Sequence, residues 1–134
     1  MLSQDYVSLN GLRFHTVTSG SRNKAGKVMI FLHGFPEFWY EWKKQLEYFG
    51  REHFAVAYDQ RGYNLSDKPA MVEDYTAALI VSDIKAMFEH FGVDGKETTG
   101  ILVAHDWGGA VAWAFAIKFP GYLEKLIIIN APHP

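Results

Sequence analysis

Apolar positions fall along this chain in two rhythms. Residues 6–9 and 12–18 read as two short strands joined by Asn10-Gly11. Both joining residues tolerate positive φ, so the pair predicts a tight hairpin. A polar loop, 19–26, follows. Residues 28–32, 54–58, 100–104 and 126–129 are then short runs of almost unbroken apolar character. Such runs suit strands buried on both faces of a parallel sheet.

Between these runs the period lengthens. In 37–51, Trp39, Trp42, Leu46 and Phe49 recur three and four apart, which predicts a helix. In 75–91, Ala77, Ile80, Val81, Ile84, Met87, Phe88 and Phe91 form one apolar face, with Gly92 as the stop. Residues 107–119 read as an apolar helix ended by Pro120-Gly121. A hairpin followed by strand–helix–strand units predicts an α/β fold, a mostly parallel sheet flanked by helices. In such sheets the chemistry gathers at the carboxyl ends of the strands. Three of those ends are distinctive: His33-Gly34-Phe35-Pro36, Asp59-Gln60-Arg61-Gly62 and His105-Asp106-Trp107-Gly108-Gly109.

Composition narrows the function. A formal net charge of −2 gives no electrostatic case for nucleic acid or an anionic membrane. The chain has no cysteine, which removes disulfides and thiolate metal sites. No apolar stretch reaches the roughly 18 residues that span a bilayer. The first residues carry neither a basic region nor an apolar run, so the expected address is cytoplasmic. Aromatic residues make up 16% of the chain, enough to suggest a large core or a pocket for an apolar ligand.

Asp106 is the leading candidate for chemistry. A strand runs into a helix through one sharp turn with small residues on both sides, the arrangement of a nucleophile elbow. The helix N-terminus beside it offers unpaired N–H groups and a positive dipole end. Those groups can stabilise a carboxylate or a developing oxyanion. Asp106 can equally be read as an N-cap of the helix. In His33-Gly34-Phe35-Pro36, Gly34 permits a tight turn and Pro36 stiffens its exit. The Phe35 N–H can then point into the same space as the Trp107 N–H, as a two-donor oxyanion hole. An ordinary strand-to-helix loop is the alternative.

At this point a resemblance becomes specific. The segment HGFPEFWYEW, 33–42, resembles the oxyanion segment of epoxide hydrolases of the α/β-hydrolase fold. DQRGYNLSDKP, 59–69, is similar to the loop after the next strand in that family. VAHDWGG, 103–109, resembles its elbow with Asp as nucleophile, and NAPHP, 130–134, the segment before its cap domain. The motifs follow the family's order and cover essentially the whole chain. Serine esterases carry Ser at the elbow. Haloalkane dehalogenases typically place Asn where Phe35 stands, and fluoroacetate dehalogenases Arg where Trp107 stands. Two positions depart from the family pattern: Ala104 and Asn64 each stand where Gly is usual.

The resemblance implies one truncated domain over 1–134, the N-terminal half of the α/β-hydrolase fold, with an N-terminal β-hairpin and no cap domain. It implies that Asp106 attacks a small apolar epoxide to form an alkyl–enzyme ester, with Phe35 and Trp107 as backbone oxyanion donors. His33, Gly34, Pro36, His105 and Gly108 support them. Cap tyrosines, a catalytic His and its acid are expected beyond the chain's reach. No metal or organic cofactor is implied. Among the remaining histidines, His133 is a candidate near the site, whereas His15, His53 and His90 read as surface residues. Tyr40 and Tyr63 can line the pocket. The apolar strand 126–129 is expected at an open edge, which predicts a homodimer or higher oligomer through it or its flanking helices. A non-catalytic, self-associating half-fold and a weak esterase are the alternatives.

Overall fold

A computed structural model describes residues 1–22 and 26–133. Residues 23–25 of the polar loop and Pro134 of the NAPHP segment lie outside the described residues. Strands β1 (Leu2–Leu9) and β2 (Leu12–Ser19) form the expected hairpin, with Asn10 and Gly11 at φ of 53° and 75°. Strands β3 (Val28–Leu32), β4 (Phe54–Tyr58), β5 (Gly100–His105) and β6 (Leu123–Ile129) complete a sheet of order β1-β2-β4-β3-β5-β6. β4, β3, β5 and β6 run parallel, and β2 meets β4 antiparallel.

The unbroken apolar runs are explained by burial on two faces. Successive side chains of a strand point to opposite sides. Ile30 and Leu32 of β3 join Val56, Tyr58 and Leu102 in one core. Met29 and Phe31 join Ala55, Ala57, Ile101 and Val103 in the other. The first core is covered by helices α2 (Ala77–His90) and α3 (Trp107–Lys118), through Val81, Ile84, Met87, Phe88, Ala112 and Phe115. The second is covered by helix α1 (Lys43–Phe49) and the turn before it, through Trp39, Trp42 and Leu46. Each fully buried Phe, Leu or Ile contributes about 1.5–3 kcal/mol relative to exposure.

Two helices begin later than their periodicity suggests. In 37–51 the first turn, Trp39–Trp42, is a 3-10 helix, and Phe38 before it is extended. The α-helix starts only at Lys43. The extended Phe38 leaves no helical backbone to propagate from. Ahead of α2, Val72–Tyr75 is a separate 3-10 turn, and Thr76 is extended and caps the helix by accepting the Leu79 N–H at 3.3 Å. Ala77 therefore sits exposed in the first turn rather than on the apolar face. The stop at Gly92 is as expected. Gly92 has φ 95°, its N–H reaches the Glu89 carbonyl at 3.1 Å, and the Val93 N–H reaches Phe88 at 2.9 Å. This paired closure is a Schellman motif.

β6 begins at Leu123, three residues earlier than its apolar run. Leu126 and Ile128 pack on the first core. Ile127 and Ile129 face the other way and are 43% and 41% exposed. They border a cavity of about 330 Å³ walled by Phe31, Trp42, Ile101 and Val103.

Candidate active site

β3 and β5 are parallel neighbours in the sheet, so their carboxyl ends deliver His33–Pro36 and His105–Gly108 to one place. Asp106 occupies the turn between β5 and α3 at φ 57° and ψ −123°. Positive φ in a residue with a Cβ costs on the order of 1–3 kcal/mol, so the surroundings must hold it there. They do so through its N–H, which donates to the Ile129 carbonyl at 3.1 Å, and through its carbonyl, which accepts the Gly109 N–H at 2.9 Å. The Asp106 side chain makes no cap hydrogen bond to the helix in the manner of an N-cap residue.

The carboxylate faces backbone donors instead. The Trp107 N–H, and after it the Phe35 N–H at 3.2 Å from Oδ2, hold the Asp106 carboxyl below the usual aspartate range. Of the two expected donors, the Phe35 N–H lies at hydrogen-bond distance from this side chain. Close packing demands the small neighbours. A Cβ on Gly34 would lie 2.6 Å from the Asp106 Cβ, and one on Gly108 would lie 2.6 Å from the His33 carbonyl oxygen. Ala104 is fully buried inside regular β5, and the elbow forms above it all the same.

His33 is buried and lies behind the loop. Its Nδ1 is 2.9 Å from the Gly34 carbonyl, and its Nε2 accepts the Gln60 N–H at 3.0 Å. The pattern requires the neutral ring protonated on Nδ1. Burial, partly opposed by the bond to Gly34, pushes the His33 imidazole below 6.5. Tyr63 packs edge-on against that ring at 4.6 Å. Tyr63 and Trp107 also wall a cavity of about 220 Å³ with Tyr75, Ile80 and Val111. Burial first, and the Asp106 charge second, raise the Tyr63 phenol above 10.0. Tyr40 lies outward, 55% exposed, against Phe38 and Trp39. Phe35 and Trp107 project from the surface, 62% and 65% exposed, as an apolar rim around the carboxylate.

The other histidines are engaged elsewhere. His105 Nδ1 sits 2.5 Å from Glu41 Oε1, a close approach without hydrogen-bond geometry. His133 packs edge-on against Trp113 at 4.5 Å. His53 Nδ1 accepts the Lys27 N–H at 2.9 Å, and His90 is exposed beside Phe91. His15 is not the surface residue its sequence position suggests. It is 2% exposed, with Asp59 Oδ2 at 2.8 Å on Nδ1 and Gln4 Oε1 at 2.9 Å on Nε2. The polar tilt of β2 hides this, because the partners come from β1 and from the loop after β4.

That loop is the part sequence reasoning read least. Asp59 also accepts the Trp39 N–H and the Asn64 amide, at 3.0 and 2.9 Å. Asn64 has φ 44°, so an asparagine serves where glycine is usual and adds a bond of its own. Arg61 forms a buried two-point ion pair with Asp83 of α2, at 2.7 and 2.8 Å. The one available signal was Asp83 itself, a charge among the apolar positions of α2. Among the described residues no group of three or more His, Cys, Asp or Glu side chains is placed to hold a metal ion. No helix among them is long and apolar enough to cross a membrane.

Known proteins resemble this chain in sequence and fold. Epoxide hydrolase 1 of Caenorhabditis elegans is 47% identical over 129 residues, which are 96% of this chain and 30% of that protein. The crystal structure of an epoxide hydrolase from Vigna radiata superposes with a TM-score of 0.89 at 35% identity, covering 98% of this chain and 40% of that one. The epoxide hydrolase of Bacillus megaterium, solved with an inhibitor, gives 0.88 at 41% identity, covering 97% and 43%. The chain therefore spans less than half the length of the relatives it matches. The family model described as alpha/beta hydrolase fold matches residues 27–134, from before β3 through the elbow to β6, and with that match the chain belongs to the α/β-hydrolase fold family.

Proposed function

We propose that residues 1–134 carry the nucleophile portion of an epoxide-hydrolase site, with Asp106 as the attacking group. The observation that carries this reading is the Asp106 carboxylate, held ionised at a strained elbow by the N–H groups of Phe35 and Trp107. An Asp106 oxygen bonds to one epoxide carbon, the carbon–oxygen bond of the ring breaks, and the released alkoxide takes a proton from water. The product is an alkyl ester of Asp106. Water adds to the ester carbonyl, the two N–H groups hold the oxyanion, and collapse releases a diol and the carboxylate. The apolar rim of Phe35 and Trp107 suits a small apolar epoxide. The reaction as drawn needs no metal or organic cofactor.

The second step needs a base, and no imidazole is described in contact with the Asp106 carboxylate. Both nitrogens of His15 and of His33 are taken up, and His133 lies on Trp113. In this chain alone the ester is therefore expected to accumulate. Incubation with a reactive aryl epoxide, followed by intact-mass spectrometry, should give a persistent single adduct that peptide mapping assigns to Asp106. Asp106→Ala should give none. Rapid diol release without an adduct would favour a base elsewhere, and the absence of both would leave a non-catalytic fold. An ester substrate run in parallel separates weak esterase activity from epoxide opening.

A self-associating form is supported by a separate observation. The outer edge of β6 has no strand partner among the described residues, and Ile127 and Ile129 are exposed beside it. In this reading a second copy covers that edge, giving a homodimer or higher oligomer. A net charge of −2 leaves nucleic acid unsuited as a partner, and the proposed setting is cytoplasmic.

A further inference from the structure

Glycine at position 34 lets the chain pass within contact distance of Asp106, but glycine leaves its own backbone the least constrained of any residue. The aim of the Phe35 N–H therefore depends on outside anchors. The Gly34 carbonyl and the Phe35 N–H belong to one rigid peptide plane. That plane is held by His33 Nδ1 and by the Glu37 N–H, each 2.9 Å from the Gly34 carbonyl oxygen. The preceding plane carries the Gly34 N–H, and its partner is a side chain. Glu41, in the 3-10 turn beyond the loop, accepts that N–H on Oε2 at 3.0 Å. Its other oxygen, Oε1, lies 2.5 Å from Nδ1 of His105, the last residue of β5 and the one before Asp106. The Glu41 side chain is only 16% exposed, which limits competition from water.

We propose that Glu41 is a positioning residue of the Asp106 site: one carboxylate clasps the β3 exit to the β5 exit and so keeps the Phe35 N–H aimed at Asp106. Neither oxygen of Glu41 touches the reacting atoms. Its hydrogen bond holds Gly34 on one side, and its other oxygen lies against His105 on the other without a hydrogen bond. The proposal rests on the reading of Asp106 as nucleophile, and its test has a readout that needs no reaction.

The experiment is amide NMR of the whole chain, wild type against Glu41→Ala, Glu41→Gln and Glu41→Asp, with epoxide labelling of Asp106 alongside. In the wild type the Gly34 amide should be protected from exchange, and the Phe35 amide resonance should follow Asp106 on acid titration. In Glu41→Ala the Gly34 amide should exchange about tenfold faster or more, as for one lost hydrogen bond to a charged group. The Phe35 response to Asp106 should collapse, and labelling should slow. Glu41→Gln keeps an acceptor of the same reach and should restore much of the Gly34 protection and the Phe35 response. Glu41→Asp keeps the charge with a shorter reach and should not; it decides the matter if Glu41→Ala does not fold. Glu47→Ala, exposed on α1, should match the wild type in every readout. Unchanged Gly34 and Phe35 amides overturn the proposal, and so does loss at Gly34 with Phe35 unaffected. A wild-type chain that is never labelled overturns the nucleophile reading alone, because the amide signals still decide the clasp.

Discussion

At the scale of single residues, the site is a problem of small side chains and fixed peptide planes. Gly34→Ala would place a Cβ 2.6 Å from the Asp106 Cβ and 3.0 Å from the His105 carbonyl oxygen, and neither is the end of a flexible side chain. The loop must retreat, taking the Phe35 N–H with it. We expect Gly34→Ala to lower the rate of Asp106 labelling by about tenfold or more, the value of one charge-assisted hydrogen bond. Labelling at the wild-type rate would show that the Phe35 donor is dispensable. The depressed Asp106 pKa has its own signature. The labelling rate should decline at a lower pH than it would for an aspartate of the ordinary value 3.8.

His33 adds a pH dependence of stability. The folded protein keeps this ring neutral below the pH at which the unfolded chain takes up a proton. Its contribution is thus fully present above the ordinary 6.5 and is lost as pH falls through the lower folded value. Thermal melts should show Tm falling as pH drops below 6.5, with a shallower slope in His33→Asn. An equal slope in both would assign the effect elsewhere. Asp106 and Asp94, whose folded values are also depressed, act below 3.8 and do not confuse this window.

At the scale of elements, what was legible in the sequence was whatever burial alone determines. β3 and β4 have the bounds of their apolar runs because every residue in them is needed by one core or the other. Helix starts were less legible. They are set by local φ and by capping, as at Phe38 and Thr76, and not by apolar spacing. The elbow and the oxyanion loop were readable from residue type, because their geometry requires Gly34 and Gly108. The roles of Glu41 and Gln60 were not, because each acts on a partner that only the fold brings near.

Asp83 ties three parts of the fold together. It takes two bonds from Arg61 and one from the Asn10 side chain, joining α2, the loop after β4 and the hairpin turn. Arg61 in turn donates to the Asp74 carbonyl at 2.7 Å. Removing one member of a buried pair strands the other, at a cost of about 3–5 kcal/mol. Asp83→Ala should destabilise the fold by that order in urea titration. The double change Asp83→Leu with Arg61→Met should recover part of the loss, because no charge is then left buried alone. A loss below about 1 kcal/mol for Asp83→Ala would mean that the pair is no stronger than one on the surface.

At the scale of the whole molecule, the sheet is protected unevenly. Its first core lies beneath α2 and α3, while the other face, beyond α1, opens into the cavity beside β6. β1 at the opposite edge is different in character. It carries Ser3, Gln4, Asp5 and Ser8, and polar side chains of that kind discourage strand addition. β6 carries Ile127, Ile128 and Ile129 in succession, with two of them exposed. Association should therefore be directional, through β6 and the adjoining cavity and not through β1. Light scattering over a range of concentrations should report a mass above that of one chain. Ile127→Lys, which places a charge on the open face without touching the first core, should shift the population toward one chain while leaving the far-UV spectrum intact. A matched change on the other edge, Gln4→Lys, would be a poor control because Gln4 holds His15, so Ser3→Lys is the better one and should leave association unchanged. A single-chain mass at every concentration would remove the oligomer from the functional picture, and the Asp106 site would then have to be judged on one copy.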